Sequence, residues 1–312
     1  MMLSVVICSH NPREDHLHKT LCGLQDQTLP TDKWELLLVD NASEAPLTAE
    51  RKFSWHPNAR LIREASLGLT FARLRGIAEA QGEIMVFVDD DNVLAPEYLE
   101  AALAICAHHP FLGAIGGRID PEYEKTCPEW FKPYEQVLAI RGPKTARWSN
   151  AWDDWQSQPW GAGMVVRRKV CEAYAKMVDA DPRRLGMGRA GGSLFSGEDT
   201  DMVLTCLDLS LGYGVFPELV LKHLIPPSRV EPDYLLKITR ALKASDLWLK
   251  HLRGHPWTYT EKLSWYTHLR SYYHFLKRDR IGRKLEEATL AGQEDFLAKL
   301  DEEKKRPREA FR

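Results

Sequence analysis

The residues best suited to chemistry are carboxylates that stand just behind short apolar runs. Asp89-Asp90-Asp91-Asn92 follows Ile84-Met85-Val86-Phe87-Val88, so three acids share one strand end. Their mutual repulsion needs a cation or hydrogen-bond donors to offset it. Two carboxylates joined by substrate phosphates are a usual way to hold Mg2+ or Mn2+. A helix N-cap before Pro96 and Glu97 would account for one of these acids but not for three. Asp40-Asn41 and Ser9-His10-Asn11 stand at equivalent places behind two other apolar runs. Glu198-Asp199 opens a further helix after a glycine-rich loop, where an exposed acid is favoured by the helix dipole; an N-cap is the plain alternative. His223 ends a late strand, where it is either structural or a ligand, and Arg229 suits a phosphate or a carboxylate.

Acids at strand ends require a sheet whose strands end together. Residues 3–8, 35–39, 60–62 and 84–88 are apolar runs too short for helices. Between them Leu17, Leu21 and Leu24, and then Phe71, Leu74, Ile77 and Ala78, repeat near a period of 3.6. Strand–helix alternation predicts parallel βαβ units, and the continuous apolarity of 84–88 predicts a strand buried on both faces. In such α/β sheets ligands bind at the carboxyl ends of the strands. The stretch 101–117 reads as a helix and then a strand. Residues 121–160 read as a substrate-facing insertion, and 161–166 as a strand. Residues 179–197 form a flexible acceptor-side loop rich in Gly and carrying Arg183, Arg184 and Arg189. A helix over 199–211 and strands near 215 and 220–223 complete a domain of residues 1–232.

The 312 residues are 44% hydrophobic and 28% charged with a net charge of -2, which excludes a disordered chain and argues against a nucleic-acid partner. The charge is unevenly placed. Residues 1–232 hold 24 Lys and Arg against 32 Asp and Glu, whereas 233–312 hold 18 against 12. Six scattered cysteines without a C-x-x-C pair read as reduced thiols and a cytoplasmic location. The N-terminal run lacks a basic n-region and is too short for a secretory signal, and no apolar stretch is long enough to span a membrane.

Four motifs recur here in a fixed order: Val6-Ile7-Cys8-Ser9-His10-Asn11, Leu38-Val39-Asp40-Asn41-Ala42-Ser43, Gly68-Leu69-Thr70-Phe71-Ala72-Arg73 and Phe87-Val88-Asp89-Asp90-Asp91-Asn92. Together they resemble a family 2 glycosyltransferase of the GT-A fold over residues 3 to about 230. The resemblance implies an inverting, metal-dependent transfer from a nucleotide-diphospho-sugar, with a UDP-sugar favoured, to an acceptor hydroxyl in surface polysaccharide or glycolipid assembly. It implies that Asp40 contacts the base, that Ser9, His10, Asn11 and Asn41 line the nucleotide pocket, and that Arg73 approaches the diphosphate. Asp89 and Asp91 would bind ribose and Mn2+ or Mg2+, with Asp90 sharing either role. Glu198-Asp199 matches the family's "ED" motif, Asp199 being the general base. Trp160 and Gly161 match the border of the sugar and acceptor sites, and His223, with Arg229 behind it, the late His that completes the metal shell. Two other readings use the same acids: a haloacid-dehalogenase-like phosphatase with Asp89 and Asp91, and a non-catalytic glycosyltransferase-like binding protein.

The segment 233–312 reads as a basic, aromatic-rich helical region. Leu235, Ile238, Leu242, Leu249 and Leu252 share one face, and Tyr266, Leu269, Tyr273 and Leu276 another. Between Leu235 and Arg283, eleven basic residues oppose three acidic ones and eight aromatics include Trp248, Trp257, Trp265, Tyr272 and Tyr273. Such faces suit the inner face of an anionic membrane as a peripheral contact, where a lipid-linked acceptor would be met. Packing on the core domain or a homodimer would also use them. Residues 301–312, a mixed-charge run, are expected to fray.

Overall fold

A computed structural model describes residues 2–48, 53–256 and 280–305. The chain opens with β1 (Leu3–Ser9), α1 (Glu14–Gln25), β2 (Trp34–Asn41), β3 (Ala59–Glu64), α2 (Leu69–Glu79) and β4 (Ile84–Asp89). There follow β5 (Asn92–Leu94), α3 (Tyr98–His108), β6 (Leu112–Tyr123), β7 (Arg147–Ser149), β8 (Met164–Arg167) and α4 (Arg168–Ala180). The last elements are α5 (Glu198–Asp208), β9 (Gly212–Ile225), α6 (Pro232–Leu252) and α7 (Arg280–Lys305).

One sheet runs in the order β3-β2-β1-β4-β8-β6-β9-β5, with β7 paired to β9. β3, β2, β1 and β4 are mutually parallel, as the βαβ reading requires. β8 is antiparallel to both β4 and β6, and β9 returns parallel to β6. Alternate strand side chains feed two cores. Leu3, Val5 and Ile7 pack with Leu17, Leu21 and Leu99 on one face, while Val6, Met85 and Phe87 pack with Ala72, Tyr174 and Val203 on the other. That two-sided burial is why these strands are continuously apolar.

The structure redraws several expected elements. The strand placed at 161–166 begins only at Met164, because Gly163 turns at φ 69° and its carbonyl accepts the Tyr98 hydroxyl at 2.5 Å. The two late strands are one, β9, whose pairing with β6 shifts register next to Gly117 and Arg118. Within the insertion at 121–160, β6 runs on to Tyr123 and β7 adds an edge to β9. The loop placed at 179–197 is open only in its second half. Over Pro182–Met187 it is a 3-10 turn, with Met187 buried and Arg184 held on Asp201 at 2.6 Å.

α6 does not stand apart from residues 1–232. Leu235 and Ile238 pack with Phe131, Leu138 and Ile225, and Leu247, Trp248 and Leu252 pack with Met187, Leu204, Phe296 and Leu300. Leu242, expected on the same face, is exposed. The second expected face, at Tyr266, Leu269, Tyr273 and Leu276, lies outside the described residues, as do Trp257, Trp265, Tyr272 and the end of the chain from 306. Residues 301–305, expected to fray, continue α7.

Candidate active site

Strand register assembles the site before any side chain is considered. Ser9 sits beside Asp40 and Cys8 beside Asp89 where β1 pairs β2 and β4, and Asp40 in turn sits beside Arg63. Antiparallel pairing of β5 with β9 sets Asn92 opposite His223, and the Leu224 N–H donates to the Asp91 carbonyl at 2.8 Å. The strand-end acids and the late histidine therefore meet, although more than a hundred residues separate them.

They open into a cavity of about 770 Å³. Its walls include Ser9, His10, Asn41, Arg73, Asp89, Asp90, Asp91, Trp160, Gly161, Glu198, Asp199, His223 and Arg229, thirteen of the fifteen expected site residues. Asn11 and Asp40 are not in the lining. The wall also takes Gln136 to Ala139 from the insertion, Arg189 to Leu194 from the loop, and Tyr234, Leu242, Ser245, Asp246 and Leu249 from α6. Sequence reasoning assigned none of the α6 residues to the site. The signal was present, since 242, 245, 246 and 249 recur at helical spacing beside the core stripe.

Asp40 departs from its expected part. It is 2% exposed, and its oxygens accept the Ser43 and Leu47 N–H groups at 3.2 and 3.1 Å and Arg63 Nη1 at 2.5 Å. Burial opposes ionisation, but these donors outweigh it and hold the carboxyl below its usual range. The acid closes the loop after β2, and its carboxylate is spent there. Asn11, at φ 47°, ties into the same loop, its N–H donating to Ser43 Oγ at 2.9 Å and its Oδ1 accepting the Glu44 N–H at 2.9 Å. His10 Nδ1 lies 2.7 Å from the Asn41 carbonyl. Asn41 spans Ser66 and Gly68, fixing the turn that starts α2.

Arg73 lies in the cavity lining but is largely buried. Its guanidinium is 3% exposed, pairs with Glu198 at 2.8 Å and stands 3.7 Å from Asp89. Burial opposes its charge, yet Glu198 and Asp89 keep it firmly protonated. Arg73 is a buried strut between α2, β4 and α5. Gly161 leaves room for it, since a Cβ there would lie 2.9 Å from both Arg73 Nη2 and Asp199 Oδ2.

The three strand-end acids are unequal. Burial and the Asp91 charge push the Asp90 carboxyl up to about 7, against the hydroxyl it accepts from Ser9 at 2.5 Å. Burial raises Asp89 as well, against Arg73. Burial would raise Asp91, but His223 and Arg229 overcome it and hold that group well below the carboxylate range. His223 Nδ1 lies 2.8 Å from the Leu138 carbonyl, and its Nε2 stands 3.4 Å from Asp91 Oδ2. Arg229 Nη1 stands 3.0 Å from that nitrogen and 3.1 Å from Asp91. A carboxylate and an imidazole nitrogen thus stand beside two further acids, donor types that suit a divalent cation, which would have to displace Arg229 from between them. Among the described residues, the trio of donor atoms that all fall within 4.8 Å of one another is elsewhere, at Asp15, His16 and Glu124, and Arg13 already pairs with two of these acids.

Asp199, expected to be exposed, is half-buried at the start of α5. One oxygen accepts the Gly161 N–H at 2.9 Å and the other its neighbour Thr200 N–H at 2.8 Å. Glu198 turns away from the opening, 3% exposed on Arg73, and burial pushes its carboxyl up to about 7. Asp199 is thus fixed on the wall shared with the insertion, with the strand-end acids lining the same cavity.

Residues 4–174 match the family model described as Glycosyl transferase family 2. An uncharacterized glycosyltransferase of Haemophilus influenzae is 28% identical over 114 residues, covering 36% of this chain and 37% of its own. A glucosyl-dolichyl phosphate glucuronosyltransferase of Haloferax volcanii is 24% identical over 134 residues, 42% of each chain. These matches span about two fifths of the relatives' lengths. Among solved structures, Staphylococcus aureus TarS superposes with a TM-score of 0.53 at 17% identity, covering 79% of this chain and 40% of that one. TarS 1–349 in complex with UDP-GlcNAc gives 0.51 at 15% identity, covering 95% and 80%. These likenesses are of fold, and agree with the expected α/β GT-A architecture and its C-terminal helices. The phosphatase reading falls here: the acids end the fourth strand of a family 2 domain, and Asp89 faces Arg73.

Proposed function

The chain belongs to glycosyl transferase family 2, and from that premise we propose that it moves a sugar from a nucleoside-diphospho-sugar to an acceptor hydroxyl with inversion at the anomeric carbon. One observation carries the reading: Asp199 is fixed by two backbone N–H groups on the wall of the cavity whose floor bears Asp89, Asp90 and Asp91. A base on one side and a cation-seeking acid cluster on the other are what single displacement needs. The acceptor oxygen attacks the anomeric carbon as Asp199 takes its proton, and the bond to the diphosphate breaks with its electron pair staying on the phosphate oxygen. Mn2+ or Mg2+ would be held by Asp91, Asp89 and His223, and would supply Lewis-acid neutralisation of the leaving diphosphate. Arg73 keeps Glu198, and through it the start of α5, in register with β4.

A UDP-sugar donor is supported by the fold shared with the TarS complex with UDP-GlcNAc. The Haloferax relative is named for a phosphate-linked lipid acceptor and TarS for a poly(ribitol-phosphate) one, which supports a saccharide or lipid-linked acceptor in polysaccharide or glycolipid assembly. No helix among the described residues is long and apolar enough to cross a membrane. Peripheral membrane contact or self-association through 233–312 is part of the same proposal, although Leu235, Ile238, Leu247, Trp248 and Leu252 of α6 are already packed within the fold.

Asp199→Asn should lower the turnover of sugar transfer by about 10²–10⁴-fold and leave nucleotide affinity within about twofold, as read by nucleoside diphosphate release and by equilibrium binding. Substantial transfer by the variant would remove Asp199 as base. A wild-type protein that binds the donor yet never turns over would restore the non-catalytic reading.

A further inference from the structure

Three arginines line the cavity, and two are committed: Arg73 to Glu198 and Asp89, Arg229 to Asp91 and His223. The third, Arg189, is exposed, and its guanidinium makes no hydrogen bond or ion pair among the described residues. Its backbone is nevertheless fixed. The Arg189 carbonyl accepts the Leu69 N–H at the start of α2 at 2.9 Å. At Gly188 a Cβ would come within 2.5 Å of Thr70 Oγ1, so the loop lies directly against α2 there. Gly191 and Gly192 follow at φ 55° and 81°, turning the chain away. The side chain is thus a free cation on a pinned base, and its charge acts on Asp89, Asp91 and Glu198.

We propose, resting on the donor chemistry of the preceding reading, that Arg189 contacts the terminal phosphate of the donor's diphosphate and stabilises it as the leaving group. When the anomeric carbon–oxygen bond breaks, the diphosphate gains one further negative charge. The acceptor's proton has gone to Asp199 and cannot neutralise it. A guanidinium presents several N–H donors in a plane that matches phosphate oxygens, and is retained as a cation at any working pH. Arg73, expected to approach the diphosphate, is buried and has one terminal nitrogen already bonded to Glu198 at 2.8 Å.

Binding of UDP, UMP, GDP and GMP with Mn2+ to wild type, Arg189→Ala and Arg189→Lys tests this by calorimetry. The alanine variant should bind the diphosphate at least about tenfold more weakly, with monophosphate affinity within about twofold of wild type and the lysine variant between. Unchanged monophosphate affinity also reports an intact fold. Equal losses for both nucleotides, or no loss for the diphosphate, would overturn the assignment while leaving the transferase reading in place. Wild type that binds neither diphosphate would overturn that reading and the assignment with it.

Discussion

At the residue scale the site rests on charges that burial would otherwise suppress. Glu198 is the sharpest case, an acid pushed up to about 7 by its surroundings although Arg73 stands 2.8 Å away. Because the folded pKa is raised, the folded chain holds a proton that the unfolded chain releases between the ordinary glutamate range and pH 7. Its effect on stability is therefore absent in acid and becomes unfavourable as pH rises through that window. The stability of wild type minus that of Glu198→Gln should fall by at most about 1.4 kcal/mol per pH unit there, read by urea unfolding. A difference that stays flat would contradict the raised pKa. The acids themselves were legible in the sequence, because residue type and position behind an apolar run suffice to find them. The parts of Asp40 and Arg73 were not. Each depends on a distant partner, Arg63 or Glu198, and no local pattern names such a partner.

At the element scale, the pocket is a meeting of strand ends with two helices that arrive late in the chain. α5 is locked from behind by Asp201, fully buried, which accepts both Arg184 Nη1 at 2.6 Å and Arg253 Nε at 2.5 Å. Arg184 belongs to the turn before the glycine loop and Arg253 to the residue ending α6, so one carboxylate joins three elements. Removing it would leave the buried Arg184 with Asp181 at 3.7 Å as its nearest acid and Arg253 with Asp208 alone. Asp201→Ala should cost about 3–5 kcal/mol in denaturant unfolding, whereas a loss below about 1 kcal/mol would show that the three elements hold without it. Helix and strand positions were readable from periodicity, as at α1, α2 and β1 to β4. The antiparallel insertion of β8 between β4 and β6 was not, because alternation along the chain does not reveal pairing direction. The single β9 was also hidden, since Pro217 and Glu218 interrupt its apolar run where its pairing with β6 slips register between Phe216 and Val220.

At the scale of the whole molecule, the acidic first part and basic last part are partly complementary. Arg253 reaches Asp201 and Asp208, while Glu303 of α7 takes Arg183 and His251. Some of the basic excess that reads as a surface for anionic partners is thus consumed inside the fold, and α6 closes the cavity. Charge counting exposed the asymmetry but could not say which charges face each other. We propose that the assembled molecule is built around a cation-assisted pocket for a nucleoside diphosphate, and the most direct test is calorimetric titration of wild type and Asp91→Ala with UDP, with and without Mn2+. The account predicts that Mn2+ tightens UDP binding to wild type by at least about tenfold, a gain of about 1.4 kcal/mol, and that Asp91→Ala abolishes this gain. Binding that is equally tight without Mn2+, or a metal effect that survives in Asp91→Ala, would contradict it.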